Sequence, residues 1–188
     1  MEGKKKKSVA SVLIDGVAGI FLPIVNLMTA AGILKGVLAI LTAAELTGTE
    51  SETYLVLNAM ADGLFYFLPV LLAFTAAAKF GANQFTAVVI AGILLYPSLT
   101  AALEPGHTIH FLGLPLRGVT YHSSVIPIIL AVGLLHYVEK FLNRIIPEMI
   151  KGFVVPLVSI LLVSLVTLSL FGPLGAVIGD VLAVGYEH

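Results

Sequence analysis

The sequence predicts an all-α integral membrane protein with about five transmembrane helices and a cytoplasmic N-terminus. Three observations predict it. Hydrophobic residues make up 59% of the 188 and charged residues only 11%, against about 45–50% and about 25% in soluble domains. The mean hydropathy is +1.06, and a soluble domain with that much apolar exterior would precipitate. The apolar residues also fall into runs of spanning length, with basic residues in alternate connections. The formal net charge of −1 gives no support for nucleic-acid binding, and the absence of cysteine excludes disulfides, thiolate metal sites and a cysteine nucleophile in this chain.

The first element is basic. MEGKKKK opens the chain, and Val9, Val12, Leu13, Val17, Ile20, Phe21 and Ile24 then recur at helical spacing with Ser8, Ser11 and Asp15 off that face. This pattern fits an interfacial helix over Ser8–Ala18, its lysines near anionic headgroups. A disordered leader is the alternative. A cleaved signal peptide does not fit, because the apolar run that follows is too long and has no small-residue cleavage site.

A helix needs about 20 apolar residues to cross a bilayer. Gly19–Ala44, Tyr54–Ala78, Phe85–Leu103, Val125–Phe141 and Gly152–Phe171 meet or approach that length. The fourth is short and fills out only if Tyr121–Ser124 forms its first turn. Residues 172–188 contain Pro173, four glycines and Asp180, and read as a short amphipathic connector. With the N-terminus inside, Lys4, Lys5, Lys6, Lys7, Lys79, Lys140, Arg144 and Lys151 are cytoplasmic. Arg117 is then the basic residue outside, where Glu45, Glu50, Glu52 and Glu104 also lie, and Lys35 falls within a helix. Eight cytoplasmic cations against one fix the orientation.

Each span carries one proline: Pro23, Pro69, Pro97, Pro127 and Pro156. Pro127 falls in a first turn, where its missing N–H costs little. The other four fit kinks or broken helices of the kind that line transport cavities, or the ordinary tolerance of membrane helices for proline.

Two groups of polar residues stand out. Lys35 and Asp62 are charges at depth, each about 12–14 Å below the outer end of its helix. Antiparallel neighbours bring them to one level, and the cost of a charge at mid-bilayer predicts an intramembrane ion pair of structural role. A part in ligand binding is the second reading. The cluster Thr120, Tyr121, His122, Ser123 and Ser124, with Arg117 just before it, lies at the outer mouth of the fourth span. Without a nearby acid or an elbow motif it makes a poor nucleophilic triad, and His107, His110 and His122 share no metal-ligand spacing. Helix capping and contact with a carbohydrate both fit these side chains.

GIFLPIVNLMTAAGILKGVLAIL (Gly19–Leu41), SETYLVLNAMADGLFYFLPVLLAFTAAAKFGANQ (Ser51–Gln84), FLGLPLRGVTYHSSVIPIIL (Phe111–Leu130) and FGPLGAVIG (Phe171–Gly179), taken in order, resemble one family. It is the membrane (IIC) domain of phosphoenolpyruvate-dependent sugar phosphotransferase permeases, in the glucose superfamily. The SSVIPII wording leans toward the β-glucoside branch, beside its sucrose and trehalose relatives.

The resemblance implies a homodimer in the bacterial cytoplasmic (inner) membrane that carries a sugar inward and phosphorylates it. The phosphoryl group passes through IIA and IIB partners, and no cofactor or metal is implied. It covers about the N-terminal half of a IIC domain. Residues 1–18 correspond to a basic linker and interfacial helix, 19–171 to the transmembrane half, and 172–188 to a truncated connector. No cysteine marks a B domain, and no A domain is recognisable. His122 does not match the family's main sugar-binding histidine, and no glutamate lies in the family's glycine-isoleucine-threonine-glutamate motif. No catalytic residue is therefore carried over.

What the resemblance leaves for this half is scaffold, dimer contact and, through Arg117, His122, Ser123 and Ser124, contact with the sugar pathway. The competing reading is a stand-alone small membrane pore, or a regulatory or interaction subunit derived from such a domain. A membrane enzyme acting alone fits poorly, because the sequence shows no nucleophile, base and electrophile constellation.

Overall fold

The computed structural model describes residues 9–103, 108–111, 113–117 and 125–174. It is an all-α membrane architecture with one small addition. The helices are α1 (Val9–Ala43), α2 (Glu52–Tyr66), α3 (Leu68–Phe80), α4 (Gln84–Leu94), α5 (Pro97–Ala102), α6 (Ile126–Ile145) and α7 (Glu148–Val166). A π-helical turn, Thr167–Phe171, extends α7. The addition is a hairpin in the long outer connection, where β1 (Thr108–Phe111) pairs antiparallel with β2 (Leu114–Arg117). Gly113 supplies the positive φ of +84° that its turn requires.

Among the described residues, four stretches are long and apolar enough to cross a membrane: Ile14–Ala43, Glu52–Phe80, Ile126–Ile145 and Glu148–Leu174. The third expected span is cut short. α4 has 11 residues, about 16 Å of helix against a hydrocarbon core of about 30 Å. The cause is local: Pro97 cannot donate to the helix and holds Tyr96 extended, at φ −64° and ψ 122°. Pro69 acts similarly, standing in the first turn of α3 just after a break at Phe67. Pro127 occupies the first turn of α6, whereas Pro23 and Pro156 lie inside α1 and α7.

Two boundaries differ from the sequence expectation. The segment read as an interfacial helix is continuous with the first span, because α1 runs unbroken for 35 residues. At about 1.5 Å per residue it is about 50 Å long, so its first turns extend well past the hydrocarbon. The fourth span gains its length at the other end. α6 starts at Ile126, behind Val125 at the N-cap position, and continues to Ile145. Val125 has no side-chain oxygen to cap with. Lys140 and Arg144 are exposed in the last turns of α6, where long cations reach the headgroups.

The core lies around α3. Leu72, Ala73, Ala76 and Ala77 on α3 are fully buried, as are Ala87, Ile90 and Ala91 on α4 and Ala131, Val132 and Leu135 on α6. Ile20 and Ile24 of α1, Val163 of α7 and Leu116 of β2 belong to the same cluster. Alanines at these positions let helix backbones approach closely, which drives packing where lipid removes any hydrophobic advantage. Large apolar side chains point outward instead: Leu22, Ile33, Ile40, Leu55, Met60, Phe153 and Leu161 are all exposed. Of the earlier expectations, those for residues 1–8, the cluster 120–124 and the connector beyond Leu174 lie outside the described residues.

Candidate functional site

α1 and α2 form an antiparallel pair joined by the outer loop, residues 44–51. The loop ends in a built cap. The Ser51 hydroxyl accepts from the Tyr54 backbone N–H at 3.1 Å, donates to the Gly48 carbonyl at 2.7 Å and contacts the Thr47 hydroxyl at 2.9 Å. The cap satisfies one of the four orphan N–H groups of α2 and fixes its register against α1.

That register brings Lys35 and Asp62 together. Lys35 Nζ lies 2.5 Å from Asp62 Oδ1 and 5.3 Å from the centroid of the Phe65 ring. The side chains are 45% and 47% exposed, so this charge pair is not sealed by the residues around it. A cavity of about 470 Å³ adjoins it, lined by Lys35, Leu38, Thr42, Tyr54 and Asn58 among others. Thr42 returns its hydroxyl proton to the Leu38 carbonyl at 2.9 Å. Tyr54, Asn58 and Asp62 follow at four-residue spacing and form one polar stripe along α2.

The opposite end of the helices holds a second polar constellation. Gly81 closes α3 in the left-handed conformation, at φ +74°. The Asn83 side chain then caps α4 by accepting from the Thr86 N–H at 3.0 Å. Glu139 of α6 completes the junction: its Oε2 accepts from the Asn83 N–H at 2.8 Å. Asn143 donates to the Glu139 carbonyl at 2.8 Å, and His136 Nδ1 lies 3.3 Å from the Gly81 carbonyl oxygen. A carboxylate aimed at the N-terminus of α4 meets free N–H groups and the positive end of the helix dipole. Lys151 pairs with Glu148 one turn apart nearby. Sequence analysis gave Glu139, inside the fourth expected span, no role. Its spacing from Leu135 and Leu142, four and three residues, carried the signal that it shares their buried face.

Of the outer cluster, only Arg117 falls among the described residues, as the last residue of β2 opposite Thr108. His122, Ser123 and Ser124 lie outside them. Between the hairpin, α5 and α7 is a cavity of about 630 Å³ with an almost wholly apolar lining, including Ile109, Phe111, Leu161 and Leu165. Among the described residues no three metal-ligating side chains converge.

Comparison with known proteins gives a consistent set of matches. A family model described as "Phosphotransferase system, EIIC" matches residues 18–188. The chain is 42% identical over 184 residues to a β-glucoside-specific EIIBCA component of Bacillus subtilis, covering 98% of this chain and 30% of the relative. It is 43% identical over 191 residues to a β-glucoside-specific EIIBCA component of Dickeya chrysanthemi, covering 99% and 30%. A sucrose-specific EIIBC component of Klebsiella pneumoniae is 33% identical over 166 residues, covering 87% and 36%. The chain thus spans about a third of the length of these relatives. No solved structure matches it significantly.

Proposed function

Because the chain belongs to the phosphotransferase system EIIC family, we propose that it is part of a bacterial phosphoenolpyruvate-dependent permease that transports and phosphorylates a β-glucoside. The observation that carries this reading is the match of nearly the whole chain to β-glucoside-specific components at 42% and 43% identity, above the 33% to a sucrose-specific one. The relatives are named as fused EIIBCA and EIIBC components, so the partners are IIA and IIB units and the sugar, in the inner membrane. The phosphoryl chemistry belongs to those partners, since this chain has no cysteine. Its own contribution is scaffold and dimer contact, with Arg117, His122, Ser123 and Ser124 at the outer mouth of the sugar pathway.

A homodimer finds support on α1. Gly32 and Gly36 are exposed four residues apart, and a Cβ added at either would meet nothing within 4 Å. That is the spacing at which membrane helices pack backbone to backbone.

A chimera tests the permease reading. Residues 18–188 replace the corresponding stretch of the Bacillus subtilis β-glucoside component in a strain lacking its own copy. Uptake of labelled salicin with recovery of the phosphorylated sugar is expected. A chimera that reaches the membrane and restores sucrose but not salicin uptake would overturn the β-glucoside assignment. One that restores neither would favour a regulatory or pore-forming role.

A further inference from the structure

The groove between α1 and α2 contains polar groups that no described residue satisfies. Among the described residues, neither the Asn58 amide nor the Tyr54 hydroxyl has a hydrogen-bond partner. Lys35 and Asp62, about 12 Å deeper along α2 than Tyr54, remain half exposed although paired. In hydrocarbon each unpartnered amide or hydroxyl costs several kcal/mol, and a charge pair open to lipid costs more. Two unpartnered groups and an open charge pair along one groove are incompatible with acyl chains filling it.

We infer that the α1–α2 groove is a water-filled vestibule, open at the outer face, that takes an uncharged polyhydroxylated solute. Its outer opening follows from the polarity of the pair, since Thr42 and Tyr54 lie next to the outer loop and Lys35 at the inner end. Lys35 and Asp62 neutralise one another, so the groove does not select an ion. The Asn58 amide offers a donor and an acceptor, the Tyr54 hydroxyl offers both, and its ring supplies an apolar face. The volume, about 470 Å³, is within the range of small-molecule sites. The choice of a sugar as solute rests on the permease reading, whereas the hydration rests on the groove alone.

The chain has no cysteine, so single-cysteine variants report water access directly. Asn58→Cys and Thr42→Cys, on opposite walls, are treated in intact cells with a membrane-impermeant thiol reagent. Met60→Cys, exposed on the outer side of the same helix, is the lipid-facing control. Only a hydrated thiol ionises and reacts, so the two groove variants are expected to label about tenfold faster than the control. Millimolar salicin is expected to slow their labelling severalfold.

Groove variants that reach the membrane yet label no faster than Met60→Cys overturn the vestibule. Fast labelling unaffected by salicin overturns the sugar as its occupant. Protection by salicin alongside failed uptake in the chimera would sink the permease reading and leave the site standing.

Discussion

The Glu139 carboxylate accepts the backbone N–H of Asn83, 56 positions earlier, at 2.8 Å. One side chain of α6 thereby ties down the turn between α3 and α4. Glu139 is 9% exposed, and Thr86 beside it is 5% exposed. Glu139→Ala leaves the Asn83 N–H without its acceptor in a buried place, at a cost of about 1–3 kcal/mol. Glu139→Gln keeps an acceptor oxygen and is expected to lose less than half as much. Thermal unfolding of the purified protein in detergent measures both. Equal losses would mean that charge, rather than the hydrogen bond, holds the turn.

Lys35 and Asp62 are joined across α1 and α2 at 2.5 Å. Asp62→Asn leaves an ammonium at mid-membrane beside Phe65 with only a neutral partner. A loss of about 1–3 kcal/mol is expected, below that of a sealed pair because both side chains are half exposed. Exchanging the two residues, Lys35→Asp with Asp62→Lys, should recover part of it. A double variant no more stable than the worse single variant would count against a structural pairing.

Gly32 and Gly36 present bare backbone on the exposed side of α1. Leucine at either position adds bulk where a second copy would approach, so the monomer fold should survive while the dimer weakens. Light scattering of detergent-solubilised wild type against Gly32→Leu and Gly36→Leu reads this directly. A dimer unaffected by both places the contact on another face.

How much of this was legible in the sequence depended on the length scale of the controlling interaction. Apolar run length is a property of local segments facing a uniform solvent, so membrane class and most helix positions could be read directly. The level of Lys35 against Asp62 was also legible, because a helix pair with a short loop fixes depth by counting residues. The shortening at Tyr96–Pro97 was half legible: proline marks a weak point, but whether a helix continues through it, as at Pro23, or stops depends on what packs beside it. Glu139 was missed because a carboxylate near a helix end resembles a solvated one. Only the fold brings the α3–α4 turn against it. The β-hairpin was missed for a related reason, since four-residue strands around Gly113 are stabilised by Ile109 and Leu116 packing on the helices.

Two glycines in one short stretch should respond oppositely to alanine. Gly81 ends α3 at φ +74°, a conformation in which a Cβ crowds the backbone. Its nearest neighbour there, the His136 ring, is 3.9 Å from the added carbon, so any cost is conformational rather than steric. Gly81→Ala should lose about 1 kcal/mol. Gly92 lies inside α4 with nothing within 4 Å of a built Cβ. Gly92→Ala restricts the unfolded chain and favours the helix, and should gain about 0.5–1 kcal/mol. Unfolding midpoints compared in one detergent decide between the two. A stabilising Gly81→Ala would mean that α3 can continue into the 81–83 turn without its left-handed stop, and the Asn83–Glu139 junction would then need another register.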